Sequence, residues 1–365
     1  MPSDQMNIEI KQSELLHALA AADGIARPSH SPLLECVLIT AVGRDVVTVA
    51  ATDTAMTIKA NIASSNRKDG SIAVNAKLLR DVIKGAPEQA ITIAALDNSF
   101  LDIRSGRARY KLAGITGRDF PKIPEPGKGK KATFDADVIV QMIDRVLFST
   151  SDDKTRMMLN GALFSVRAGV ATMTSTDGHR LSRATSSANC DDFSALVPKE
   201  ALAKLARIAE GDVEFVVEPS RIFATTAGLT MCMPLIDSEF PSVDRLFAQD
   251  FKHTIVVGRE SLIASIERTR VATTETRGMK IDGRSGALVL SSTHFDIGEV
   301  SDEIDAEGVS DEIMSCSAPK YLLEPLARIS DENVKVSFAS ELDPIVVEGA
   351  TSGNYTAVVM PMRRD

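Results

Sequence analysis

The residues with the most chemical capacity here are Ser175, Asp177 and His179, a hydroxyl, a carboxylate and an imidazole within residues 173–181. Such a set could in principle run acyl transfer or general acid–base chemistry. The spacing argues against it. Asp177 and His179 flank Gly178 in an Asp-Gly turn signal, no third residue is identifiable to orient the imidazole, and no nucleotide or metal motif accompanies them. The four cysteines (Cys36, Cys190, Cys232, Cys316) and five histidines stand singly, without metal-ligand spacing. They read as reduced thiols and isolated imidazoles of a cytoplasmic protein. No catalytic residue, metal or cofactor is expected, and the 173–181 segment serves better as a landmark.

The same kind of segment recurs as Thr52-Asp53-Thr54 and as Ser292-Thr293-His294, which calls for a repeat reading. Amphipathic helices are predicted to start at Ser13, Asp137 and Glu260-Ser261, 124 residues apart each time; Ile139, Met142, Ile143 and Val146 have i, i+3, i+4, i+7 spacing. A second helix recurs at 74–83, 197–205 and 317–326, with Pro198 and Pro319 in first-turn positions and Pro325 expected to shorten the last. Strands are predicted at 162–170 and, closing each unit, at 104–112, 221–233 and 355–362. The fold class is therefore α+β: three similar domains, 1–126, 131–249 and 251–365, each with two helices and about eight mainly antiparallel strands. The Pro-, Gly- and Lys-rich run 121–131 and residues 244–252 are the expected connectors.

With 44% apolar residues and no long apolar run, nothing is expected to span a membrane, and Asp4 in a polar leader argues against a secretory signal. Two edges of opposite charge stand out. Residues 104–109 are basic, with Arg107 and Arg109; residues 297–305 are acidic, with Glu299, Asp302 and Glu303. Val271 and Ala272 are expected to supply the apolar part of a seam. Such edges suit head-to-tail pairing of two chains, and two chains of three domains would make a pseudo-sixfold ring. Net charge is −9, yet the six helical segments sum to +3, leaving −12 elsewhere. Helices lining a hole would give a mildly basic lumen, with Arg27, Lys77, Arg80, Lys84, Lys199 and Lys204 as candidate phosphate contacts. Composition alone also leaves open a three-repeat scaffold that binds peptides without nucleic acid.

The combination of Leu159-Asn160-Gly161, Thr176-Asp177-Gly178-His179-Arg180-Leu181, Phe240-Pro241 and Tyr355 through Arg363 resembles one family, the bacterial DNA polymerase III beta subunit or sliding clamp, over nearly the whole chain. The resemblance implies a non-enzymatic homodimeric ring of DNA-clamp domains that slides on double-stranded DNA. It also implies a cleft that docks short peptides of the polymerase III catalytic subunit, the clamp loader complex and other replication and repair proteins. Matched by motif, that cleft uses Leu159, Thr176, Gly178, His179, Arg180, Leu181, Pro241, Arg245, Leu246, Val358, Met360, Pro361, Met362 and Arg363, with Arg180, Arg245 and Arg363 at the rim over an apolar floor. The chain departs from the family pattern at an extra residue in Ser29-His30-Ser31, at Ala318, at Phe100 in the seam, and at Arg364 and Asp365 beyond the usual ending.

Overall fold

A computed structural model describes residues 6–27, 30–96, 98–247, 251–274, 277–284 and 286–364. Asp4, Ser29, Asp365 and the middle of the 244–252 connector lie outside the described residues.

The first repeat runs β1 (Asn7–Lys11), α1 (Gln12–Ala22), β2 (Cys36–Ala41), β3 (Val46–Thr52), β4 (Thr57–Lys68), β5 (Gly70–Asn75), α2 (Ala76–Lys84), β6 (Ala90–Ala95), β7 (Phe100–Ser105) and β8 (Ala108–Thr116). The second runs β9 (Lys130–Asp135), α3 (Ala136–Leu147), β10 (Gly161–Arg167), β11 (Val170–Thr176), β12 (Arg180–Ser187), β13 (Phe193–Pro198), α4 (Lys199–Ile208), β14 (Asp212–Val217), β15 (Arg221–Thr226) and β16 (Leu229–Pro234). After the short α5 (Asp244–Phe247) come β17 (His253–Gly258), α6 (Arg259–Thr269), β18 (Met279–Arg284), β19 (Ala287–His294), β20 (Gly298–Asp305), β21 (Met314–Ser317), α7 (Pro319–Leu326), β22 (Asn333–Phe338), β23 (Ile345–Gly349) and β24 (Tyr355–Val359). The same order, one strand, helix, four strands, helix and three strands, occurs three times.

The chain forms two compact units, 1–137 with 207–235 and 138–206 with 236–365. In the first, twelve antiparallel strands follow the order β1-β6-β7-β8-β5-β2-β3-β4-β16-β15-β14-β9, and β4 also pairs with β1, closing the first repeat's sheet on itself. Thr57 to Ala60 of β4 pair with Cys232 to Leu229 of β16, so sheet continues from the first repeat into the second. The second unit holds an eight-stranded sheet, β13-β10-β11-β12-β24-β23-β22-β17, and a four-stranded one, β20-β19-β18-β21. There Arg180 to Ala184 of β12 pair with Val359 to Tyr355 of β24, joining the second repeat to the third in the same way.

Helical periodicity becomes burial as the spacing predicts. Ile139, Met142, Ile143 and Val146 of α3 are all buried, each side chain contributing about 1.5–3 kcal/mol of transfer free energy. Asn75 caps α2 by accepting from the Leu78 N–H at 3.1 Å, worth about 1 kcal/mol. Pro319 opens α7, and the helix stops one residue after Pro325. Pro198 instead ends β13, and α4 starts at Lys199.

Three single-strand readings are corrected to hairpins. Residues 162–170 divide at Ala168-Gly169, 221–233 at Ala227-Gly228, and 104–112 at Gly106-Arg107. In the first two, both central residues have positive φ, the tight turn whose twist matches a hairpin. The basic run 104–109 is thus a hairpin tip, with Arg104 directly opposite Arg109.

Asp331 fixes the bend between β23 and β24. Its carboxylate accepts from the backbone N–H and hydroxyl of both Thr351 and Ser352, at 2.6–2.9 Å. These bonds, led by the Ser352 and Thr351 hydroxyls, hold the carboxyl far below the usual carboxylate range. A depressed carboxyl stabilises the fold above its unfolded pKa of about 3.9 and loses that contribution as pH falls through the folded value. We expect Asp331→Asn to melt below wild type at pH 7, the gap narrowing below about pH 4; melts across pH check it.

Candidate functional site

The landmark turn is built by its own side chains. The Asp177 carboxylate accepts from the N–H groups of His179 (2.9 Å) and Arg180 (3.0 Å), while the Thr176 hydroxyl accepts from the Gly178 N–H and donates to the Arg180 carbonyl. Gly178 has φ +94°, a conformation that favours glycine, and Arg156 Nη1 lies 3.0 Å from where a Cβ would stand. The first repeat makes the same turn: Asp53 accepts from Ala55 and Met56, Thr52 bonds Thr54 and Met56, and Thr54 holds φ +78°. A carboxylate used identically in two repeats is turn architecture. Ser175 is fully buried and bonded to Ser149 and the Val146 carbonyl. The imagined acid–base set does not assemble.

Arg180 is corrected from a rim group to a buried one, 7% exposed. Its guanidinium lies between the rings of Phe148 (5.1 Å) and Tyr321 (4.8 Å). It donates to Asp177, to the Phe148 carbonyl at 2.7 Å and to Glu324 on α7. The neighbouring His179 ring is exposed and stacks on Tyr321, centroids 6.2 Å apart. Its carbonyl accepts the Met360 N–H at 2.9 Å, which brings the C-terminal segment alongside the turn.

Leu181 and Val358 pair across β12 and β24 but do not form an open floor. Both are buried with Val346, and Val243, Phe247 and Phe251 pack against them. Arg183 straps this cover down, stacking on Phe247 at 3.8 Å and bonding Asp244 at 2.6 Å. Leu159 is buried at the end of a 3-10 turn whose Arg156 donates to the Asp177 carbonyl. The accessible apolar atoms are those of Met360, 37% exposed, with Pro361, Met362 and Leu246 half-buried; Pro241, Arg245 and Arg363 are exposed. Pro241 also borders a groove of about 440 Å³ over the face of β10–β12. Adaptable thioether and proline surface beside cationic and aromatic groups can hold a short peptide; it offers no nucleophile paired with a base. Tyr321, Glu324 and Val346 belong to this constellation and were not identified from sequence, because nothing in α7 or β23 alone says which neighbour they meet.

The seam candidates divide. Val271 is 61% exposed, whereas Ala272 is fully buried and cannot face a partner. Asp302 is held by Arg268 (2.6 and 3.1 Å); Glu299 and Glu303 are exposed. Arg104 and Arg109 both donate to the buried Asp102, at 2.9 and 2.6 Å. Burial alone would raise the Asp102 carboxyl, but the bonds from Arg109 and Arg104 outweigh it and hold it below the usual range. Arg107 is exposed at the tip, and Lys111 sits over the Phe100 ring. Of the phosphate candidates, Arg80 pairs with Asp23 at 3.0 Å, Arg27 with Asp53 at 3.8 Å and Lys199 with Asp152 at 2.8 Å. Lys77 and Lys84 are exposed on α2 and Lys204 is half-buried. Burial raises all four thiols, Cys36 to about 11 with Glu35 adding to the effect, so they are poor nucleophiles. Among the described residues no acidic, His or Cys cluster could hold a metal, and no helix is long and apolar enough to cross a membrane.

Three family models match in order: the N-terminal domain of the DNA polymerase III beta subunit over 6–124, its central domain over 133–242 and its C-terminal domain over 244–363. The beta sliding clamp of Pseudomonas putida is 28% identical over 369 residues, covering 98% of this chain and 100% of the relative. A Pseudomonas aeruginosa clamp structure bound to griselimycin is 27% identical, with a TM-score of 0.91 over 98% of this chain and 100% of that one. The Bacillus subtilis clamp, 21% identical, shares the fold with a TM-score of 0.93 over 99% and 100% of the two chains. With all three domain models matched in sequence order, the chain belongs to the DNA polymerase III beta subunit family, the non-catalytic sliding clamps.

Proposed function

We propose that two copies of this chain close head to tail around duplex DNA and act as the processivity factor of replication in the cytoplasm, with domains 1–126, 131–249 and 251–365. One observation carries the closure. In each junction within the chain, a repeat's fourth strand (β4, β12) pairs with the last strand of the next repeat (β16, β24). The third repeat's equivalent, β20, pairs only with β19 among the described residues. Among the described residues, the first repeat's last strand, β8, uses Ala108 to Ala113 only towards β7. Two equivalent edges, acidic on β20 and basic beside β8, are left for each other. Exposed edges unprotected by a partner are a liability; here each supplies the other's missing ladder, and opposite charge selects the pairing.

Enclosure replaces affinity. Phosphate contacts weaken steeply with salt, so weak contacts from Arg27, Lys77, Arg80, Lys84, Lys199 and Lys204 allow sliding while topology retains the protein. Partners, including the polymerase III catalytic subunit, the clamp loader and repair proteins, would dock peptides at His179, Pro241, Arg245, Leu246, Met360, Pro361, Met362 and Arg363. Leu159, Thr176, Gly178, Arg180, Leu181 and Val358 would support these from beneath. Griselimycin, which binds the P. aeruginosa clamp, is the available probe. Deleting Met360 through Asp365 should weaken its binding by at least about a hundredfold, some 2.7 kcal/mol, while sedimentation still shows dimers. Unchanged affinity by calorimetry would reject the cleft.

A further inference from the structure

Arg364 is used by neither the ring nor the cleft as described above. Its Nη1 and Nη2 donate to the two carboxylate oxygens of Asp282 on β18, at 2.6 and 3.0 Å. Both side chains are largely buried, and Glu341 lies 4.0 Å from Nε. Between β24 and this pair the backbone is tied twice, Met360 N–H to the His179 carbonyl at 2.9 Å and Met362 N–H to the Cys316 carbonyl at 2.7 Å. The Met362 sulfur packs against Gly278, 2.9 Å from where a Cβ would stand. Terminal residues fray unless something holds them, and a forked arginine–carboxylate pair fixes direction as well as distance.

We propose that Arg364 is a positioning residue. Its clamp on Asp282 holds residues 360–363 along β21 and beside the His179 turn, so that Met360, Pro361 and Met362 stand as a wall before a ligand arrives. The proposal rests on the peptide-cleft reading. A wall ordered in advance spares the ligand the entropy of ordering it. Asp282 and Arg364 touch no ligand in this scheme; they act through the methionines.

The test uses the full-length protein and the variants Arg364→Ala, Asp282→Asn and the charge swap Asp282→Arg with Arg364→Asp. Amide exchange at Met362 is read in the free protein and griselimycin affinity by calorimetry. Met362 exchange should rise about tenfold in both single variants, and griselimycin should bind about tenfold more weakly, equivalent to about 1.4 kcal/mol. The swap should recover part of both. Unchanged Met362 exchange in the single variants would overturn the clamp, and faster exchange with unchanged affinity would overturn its positioning role. If wild type fails to bind griselimycin, the cleft reading falls, and the exchange result still decides whether Arg364 orders the tail.

Discussion

Reversing both Arg107 and Arg109 to glutamate should convert the dimer to monomer at micromolar concentration, weakening association on the order of a hundredfold or more. Both exposed cations lie at or within the stretch of β8 that pairs on one side with β7, and the edge proposed to meet its other side carries Glu299 and Glu303. Close like charges in place of opposite ones cost several kcal/mol at an interface. The two positions differ in a way that allows a control. Arg109 also neutralises the buried Asp102 within its own chain, so its reversal disturbs the hairpin itself. Arg107 lies at the tip, where its reversal spares that pair, and Arg107→Glu alone should weaken the dimer with the hairpin intact. Sedimentation equilibrium reads both, and a double variant that still dimerises like wild type would remove this seam.

Arg180→Ala should lower stability by about 2–4 kcal/mol and weaken griselimycin binding together. The guanidinium is sandwiched by Phe148 and Tyr321 and satisfies Asp177, Glu324 and a backbone carbonyl. Removing one side of a buried charge pair leaves the other uncompensated, typically costing 3–5 kcal/mol; partial exposure of Glu324 reduces that. The loss also frees Tyr321, on which His179 stacks, so the edge of the proposed cleft should move with it. Glu324→Gln keeps the shape and should cost less. Denaturant titration with parallel calorimetry checks the pair, and a fully stable Arg180→Ala protein would contradict the buried role.

Helix positions were legible because a 3.6-residue period survives in the sequence whatever the tertiary context: Ile139, Met142, Ile143 and Val146 are buried as spaced. The repeat was legible because three landmarks keep their order. The hairpin turns were not, since Ala168-Gly169 and Ala227-Gly228 lack the Asn-Gly or Asp-Gly signature that marks such turns, and β-branched residues continue on both sides. The residues proposed for the cleft come as a list from the resemblance, but their surroundings do not. Arg180 meets a carboxylate 144 residues further along the chain, and no local pattern distinguishes a buried arginine from a solvated one. Ala272 and Val271 are adjacent and similar in type, yet one is buried and the other exposed, a difference set by the 3-10 turn that contains them.

Retention on DNA of different topology bears most directly on enclosure. Protein placed on closed circular duplex by a clamp loader should remain bound through a high-salt wash, because the hold is topological, and should slide off once a single double-strand cut makes the circle linear. Equal retention on circular and cut DNA, or salt-sensitive release from both, would mean that the protein grips the phosphates and does not encircle the duplex.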